Sequence, residues 1–231
     1  MTGRQFLIID ADDTLWENNI YFERAFEDFV EFLNHSSLSA REVRDILDEI
    51  EAANAKVHGY GSLNFGRNLC QVYEHLAEHE IQEPELNRVM EFATRILEQP
   101  IELIEGVPET LAYLAGRHDL TLFTKGQSGE QKLKVDRSGL GPFFGHLAIV
   151  KEKNAEAYQG LIAERGMDPT RTWMIGNSPK SDVNPALETG INAVFIPHAH
   201  TWVLERAEIG QAGQSQHLMV LENFADLCKY F

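Results

Sequence analysis

Cysteine is nearly absent from this 231-residue sequence: Cys70 and Cys228 stand far apart and lack metal-ligand spacing. Neither a disulfide framework nor a zinc site is implied, and both thiols are expected to pack. Long apolar runs are missing too, since no stretch approaches the roughly 20 consecutive apolar residues of a membrane helix. Residues 1–5 lead straight into Phe6-Leu7-Ile8-Ile9 without the pattern of a secretory signal, so the expected location is the cytoplasm. Positive charge is scarce: 20 Lys and Arg face 36 Asp and Glu, a formal net charge of −16. Such a chain repels a phosphate backbone and no basic run offsets the repulsion, which argues against nucleic acid as a main partner. The simplest meaning of the acidity is solubility. An anionic small substrate would need local help from a metal or a few lysines.

What is present is ordinary globular composition, 43% apolar and 24% charged, in a chain long enough for one core with a substantial insertion. Three short apolar runs, residues 6–9, 120–123 and 173–175, are each followed by a turn and then helical periodicity, the pattern of βα units. Residues 147–150 and 193–196 read as two more strands, the latter after a helix over 182–189 closed by Gly190. Five strands alternating with helices predict an α/β fold with a parallel, doubly wound sheet. Ligands of such sheets gather beyond the carboxyl ends of the strands.

Residues 16–104 interrupt this pattern and read as helices. Phe22, Phe26, Phe29 and Leu33 share one face; Val43, Ile46, Leu47, Ile50, Ala53 and Val57 repeat the spacing after a capping box at Ser39 and Glu42. Leu86, Val89, Met90, Ala93, Ile96 and Leu97 form a third stripe behind Pro84, and residues 65–76 join them. Core packing is the expected role of all three stripes, which leave the oligomeric state open. The division expected is therefore a core of 1–15 and 105–231 around a helical insertion of 16–104.

The first strand ends in Asp10-Ala11-Asp12-Asp13-Thr14-Leu15-Trp16. Three carboxylates within four positions repel one another unless a cation or a proton relieves them. An acidic turn is the plain reading; its place after an apolar strand and before an insertion raises the chemical one. Thr124 follows the second run, where its hydroxyl and the amide of Lys125 could hold a phosphoryl oxygen. Lys151 and Lys153 follow the strand ending at Val150, and either ammonium could neutralise an anionic group there. Gly176-Asn177-Ser178-Pro179-Lys180-Ser181-Asp182 places an amide oxygen and a carboxylate at the same sheet edge, the hard oxygen ligands that magnesium accepts.

Taken in order, Asp10 to Thr14, Thr124, Lys153 and Gly176 to Asp182 resemble the four motifs of the haloacid dehalogenase-like hydrolase superfamily. The resemblance implies a Rossmann-like core and makes the helical insertion similar to the family's first type of cap domain. It implies that Asp10 is a nucleophile forming an aspartyl-phosphate and that Asp12 is the general acid and base. Mg2+ would be held by Asp10, the carbonyl of Asp12, Asn177 and Asp182. Thr124, with Lys125, and Lys153 would bind the phosphoryl group, Lys153 matching the family lysine better than Lys151 because it opens the following helix.

One departure stands out, since Asn177 occupies a position where most relatives carry aspartate. Its neutral amide should weaken magnesium binding unless Asp182 compensates. Dehalogenases of the family lack the second aspartate of the first motif, because a halide leaves without a proton; Asp12 thus favours a small phosphorylated substrate over a 2-haloacid. A signalling receiver module fits less well, having no helical insertion and carrying its phosphorylated aspartate after the third strand. A catalytically quiet interaction protein is suggested by Asn177 alone. Gly59-Tyr60-Gly61-Ser62 is either a substrate-selecting loop or a plain helix-to-helix turn. His198 and His200 could face a substrate but make a poor metal site as a pair. Trp16 is expected to pack at the cap hinge, with substrate stacking the lesser option.

Overall fold

A computed structural model describes residues 3–231. The described residues form two compact units, those up to Glu17 together with Ile101–Phe231, and Asn18–Pro100.

The first unit is the sheet. Its strands are β1 (Phe6–Ile9), β2 (Asp119–Lys125), β3 (His146–Val150), β4 (Thr172–Gly176), β5 (Asn192–Phe195) and β6 (Leu218–Val220), all pairing in parallel in the order β3-β2-β1-β4-β5-β6. This is a Rossmann-like doubly wound order, whose direction reverses beside β1. Ile9 stands opposite both Leu122 and Ile175, and the amide of Asp10 still donates to the carbonyl of Ile175 at 2.9 Å.

Because strand side chains alternate between faces, the apolar runs sort into two layers. Leu7, Ile9, Leu122, Trp173, Ile175 and Val194 pack with Leu111 and Leu114 of the helix Val107–Ala115 and with Phe224, Leu227 and Phe231. Ile8, Phe123, Met174 and Ala193 pack with Tyr158, Leu161, Ala186 and Leu187 on the other face. Each such side chain contributes about 1.5–3 kcal/mol by leaving water, so β1, buried on both faces, is firmly placed before any polar residue follows it.

Three local expectations differ from the structure. The sheet has a sixth strand, β6, whose three residues are too few for alternation to register. β2 runs on through Thr124 and Lys125, pairing them with Ile149 and Val150, so Thr124 lies inside the strand and not after it. The helix read over 182–189 starts as a π-helical turn at Pro179–Val183 and becomes α-helical only over Asn184–Glu188. The side chain of Ser178 accepts from the amide of Ser181, and the carboxylate of Asp182 accepts from the amide of Ser178, which widens that first turn.

The second unit holds four helices, α1 (Asn19–Leu33), α2 (Ala40–His58), α3 (Ser62–Leu76) and α4 (Glu83–Thr94), then a 3-10 turn at Arg95–Glu98. Phe29, Val43, Leu47, Leu69, Val72, Tyr73, Val89 and Ala93 form its core. The reciprocal cap at Ser39 is in place, its amide donating to Glu42 at 2.8 Å. Gly66 lets α3 and α4 approach, since a Cβ there would stand 2.9 Å from Met90 Sδ. The α2 stripe, however, ends early: Ala53 is exposed and Val57 is 76% exposed. Over those turns the inward face is polar, with Glu51 buried and Asn54 donating to Asn68 at 2.8 Å and to Gln71 at 3.0 Å. Gly59 and Gly61 form the α2–α3 turn with φ of 74° and 116°, values that favour glycine.

Trp16, Glu17 and residues 101–104, grouped above with the helices, belong to the sheet unit. Trp16 is fully buried there and bridges to Leu103, while the amide of Glu17 donates to Glu102. Among the described residues no helix is long and apolar enough to cross a membrane.

Candidate active site

The acidic turn after β1 is held by its own backbone: the amide of Leu15 donates to Ala11 at 2.8 Å and that of Asp13 to Trp16 at 2.8 Å. Asp13 adopts φ of 60°, a left-handed conformation that Asp tolerates better than most residues. Each of the three carboxylates meets a side chain from a different segment. Asp10 pairs with Lys153 Nζ, Asp12 with Lys134 at 3.1 Å, and Asp13 lies 3.8 Å from His198 Nδ1. For Asp10 and Asp12 the repulsion expected from their spacing is thus answered by one lysine each.

Around Asp10 the groups are buried and close. Lys153 Nζ also donates to Asp182 Oδ1 at 2.7 Å, so one ammonium serves two carboxylates. Asp10 is 6% exposed, Lys153 4% and Asp182 1%. Lys151, the other lysine left open above, is exposed. The Thr14 hydroxyl lies 3.0 Å from Asp10 Oδ2 and 3.3 Å from Asn177 Oδ1, its single proton serving one at a time. Asn177 Nδ2 donates to Thr201 at 3.2 Å. Asp182 reaches this position because residue 176 is glycine: a Cβ there would stand 2.9 Å from the Cβ of Asp182 and closer still to its carboxylate.

Burial drives the titration of these groups. It pushes Asp10 up to about 7, with repulsion from Asp182 adding to it and Lys153 only partly offsetting it. For Lys153 burial acts downward, yet attraction to Asp10 and Asp182 outweighs it, so the ammonium is held above its ordinary range and stays charged. Burial also holds the Tyr158 hydroxyl well above its ordinary value, aided by Asp182 and Asp10; it donates to the Ser181 carbonyl at 3.0 Å.

The residues expected on the neighbouring strand are near but differently engaged. Thr124 Oγ1 donates to Gln131 at 3.3 Å, and Gln131 in turn donates to Asp12 Oδ2 at 2.9 Å. The ammonium of Lys125 is committed to Glu205 and to Ser181 Oγ, the latter at 2.9 Å. Burial raises Glu205, but attraction to Lys125 and hydrogen bonds from Lys125 and Ser178 outweigh it and lower the carboxyl overall. Sequence reasoning missed Gln131, Lys134 and Glu205. The first two lie one helical turn apart, behind Gly126-Gln127-Ser128, a spacing that could have flagged them; nothing local marks Glu205.

Asp10, Asp182 and Asn177 offer oxygen alone, and their two carboxylates face a single buried ammonium. Hard oxygen donors with uncompensated negative charge suit Mg2+, which keeps several waters and needs no complete protein cage. Asp13, Glu17 and His198 bring ligand-type atoms within 4.8 Å of one another, with His198 Nε2 3.2 Å from Glu17. His200 stands apart from that group, its amide donating to His198 Nδ1 at 3.3 Å.

A family model described as haloacid dehalogenase-like hydrolase matches residues 6–190. YfnB of Bacillus subtilis (strain 168), a protein named as an HAD-hydrolase, is 25% identical over 140 residues; the match covers 56% of this chain and 59% of that relative, less than two thirds of its length. A haloacid dehalogenase-like family hydrolase from Xanthomonas campestris superposes with a TM-score of 0.80 at 27% identity, over 97% of this chain and 92% of that one. The structure of YfnB bound to magnesium shares the fold, with a TM-score of 0.69 at 15% identity over 99% and 98% of the two chains. So does the L-2-haloacid dehalogenase from Xanthobacter autotrophicus, at 0.65 and 15% over 98% and 97%. The fold alone therefore does not choose between phosphate and halide chemistry.

Proposed function

We propose, for a chain that belongs to the haloacid dehalogenase-like hydrolase family, magnesium-dependent hydrolysis of a small phosphorylated metabolite through an aspartyl-phosphate on Asp10. The sheet unit is read as the catalytic core and the helical unit, Asn18–Pro100, as the family's cap domain.

In the first step a carboxylate oxygen of Asp10 attacks phosphorus, the bond from phosphorus to the leaving oxygen breaks, and Asp12 gives that oxygen a proton. In the second, Asp12 takes a proton from water, the resulting hydroxide attacks phosphorus, and Asp10 is released with inorganic phosphate. Lys153 keeps Asp10 and Asp182 together and presents positive charge to the transferred group. Thr124, its hydroxyl proton turning from Gln131 to the substrate, and the amide of Lys125 are read as donors to phosphoryl oxygens. When bound, Mg2+ held by Asp10, the carbonyl of Asp12, Asn177 and Asp182 supplies the charge that lets a carboxylate approach an anionic phosphate.

The observation that carries this reading is Asp12: a second carboxylate two residues from Asp10, not part of the Lys153 pair and held by its own donors. A halide leaving group needs no such proton carrier. The test is turnover of a panel of phosphate monoesters with magnesium, beside halide release from 2-haloacids. Hydrolysis abolished by Asp10→Asn and by Asp12→Ala, the latter still binding magnesium, is the expected result. Halide release without phosphate turnover would replace the reading with dehalogenation, and unimpaired hydrolysis in Asp12→Ala would remove Asp12 from the proton path.

A further inference from the structure

The carboxylate of Asp12 is fixed from three directions. Trp16 Nε1 donates to Oδ1 at 2.8 Å, Gln131 Nε2 to Oδ2 at 2.9 Å, and Lys134 Nζ to both oxygens at 3.1 Å. Gln131 and Lys134 sit three residues apart on the helix Ser128–Ser138 and so share a face. They are 4% and 8% exposed, which sets them apart from the usual solvated helix surface. Lys134 also lies 3.8 Å from Glu130, so its charge is balanced mainly by acids of this corner.

The amide of Gln131 bridges two residues: its nitrogen donates to Asp12 Oδ2, and its oxygen accepts from the Thr124 hydroxyl at 3.3 Å. One side chain thereby joins the residue read as proton carrier to a residue read as binding the phosphoryl group. A free aspartate would rotate about two side-chain bonds and deliver its proton over a range of positions, whereas this one is aimed.

We propose that Gln131 and Lys134 are positioning residues that aim the Asp12 carboxylate for both proton transfers. The inference rests on the phosphohydrolase reading given above. Its consequence is selective. Proton delivery matters most when the leaving oxygen is strongly basic, as in an alkyl phosphate, and least when the leaving group departs as a stable anion, as in 2,4-dinitrophenyl phosphate.

The experiment compares kcat/KM for an alkyl phosphate and for 2,4-dinitrophenyl phosphate, with saturating magnesium, in wild type, Gln131→Leu and Lys134→Met, after circular dichroism shows each folded. Misaligned general acid–base catalysis, which contributes about 10²–10⁴-fold when aligned, should lower the alkyl-to-dinitrophenyl ratio by about tenfold or more in each variant, whatever loss the two substrates share. Acid-quenched variants turning over the dinitrophenyl ester should also hold more phosphorylated enzyme than wild type, because the second proton transfer is slowed. If either variant fails to fold, Gln131→Asn or Lys134→Gln decides by the same ratio. An unchanged ratio, with both substrates falling together, would show a structural role only and overturn the inference. Wild type inert toward every phosphate ester would remove the function reading, and this inference with it.

Discussion

Replacing Lys153 by methionine keeps most of the length of the side chain and deletes its charge. In the native site that charge lies between Asp10 and Asp182 in surroundings where the lysine side chain is 2% exposed and the two acids 9% and 1%. Removing one member of such a buried group leaves two like charges without their cation, a loss of about 3–5 kcal/mol. For a chain of this length each kcal/mol lowers the unfolding midpoint by about 2–4 °C, so Lys153→Met should melt about 6–20 °C below wild type at pH 8 in chelator. The loss should shrink toward pH 5. Asp10 already titrates near 7, and without Lys153 it binds a proton more readily, which removes the repulsion with Asp182. Adding Asp182→Asn should recover part of the loss at pH 8, and the double-mutant cycle reads the coupling directly. Thermal unfolding followed by circular dichroism is sufficient. A variant melting within about 2 °C of wild type at pH 8, or one destabilised more at pH 5 than at pH 8, would refute the account of one cation shared by two buried acids.

Two further outcomes follow from the same geometry. Gly176→Ala should preserve the sheet yet push Asp182 off the Ser178 amide and Lys153, lowering turnover of an aryl phosphate by about 100-fold; a variant as active as wild type would show that the placement of Asp182 is not needed. Asp10→Asn in chelator tests the raised carboxyl. Because the folded state binds this proton more tightly than the unfolded chain, Asp10 supports folding fully below about pH 4, and that support is lost as pH rises through about 7. The stability of Asp10→Asn relative to wild type should therefore rise between these values, by up to about 4 kcal/mol. A difference that stays flat across pH 4–8 in urea unfolding would contradict the shift.

Legibility in the sequence followed burial. β1 and β4 were readable as unbroken apolar runs followed by turns, and the first three turns of α2 from the helical spacing of their apolar residues behind the cap of Ser39 with Glu42. β6 was not, since Val220 is 62% exposed and three residues carry no period. The outward turn of Val57 escaped for the opposite reason: the spacing was right, but buried Glu51 and the hydrogen bonds of Asn54 to Asn68 and Gln71 occupy the inward face, which hydropathy does not register. At the site, Asp10, Asp182 and Lys153 were found from their positions at strand ends, which topology gathers. Gln131, Lys134 and Glu205 were not, because a buried polar partner is defined by what it meets across the fold. The Lys125 amide was the group expected to meet a ligand; its ammonium, for which the sequence offered no role, is held by Glu205.

That last point bears on how one short turn can divide two chemical roles. Lys134 and Lys153 arrive from connections on the β2 and β3 side of the sheet, whereas Asp182, Asn177 and His198 arrive from the β4 and β5 side. β1 lies between the two sets, so the acidic turn at its end meets groups from both. Asp10 shares a single ammonium with a second buried acid and receives one hydroxyl. Asp12, its side chain 22% exposed, has an ammonium of its own beside two neutral donors. Carboxylates two residues apart thus face unlike surroundings. On the proposed reading the division comes from the strand order and not from the turn, so exchanging the cations, Lys134→Met against Lys153→Met, should impair different steps although the acids they serve are adjacent in the chain.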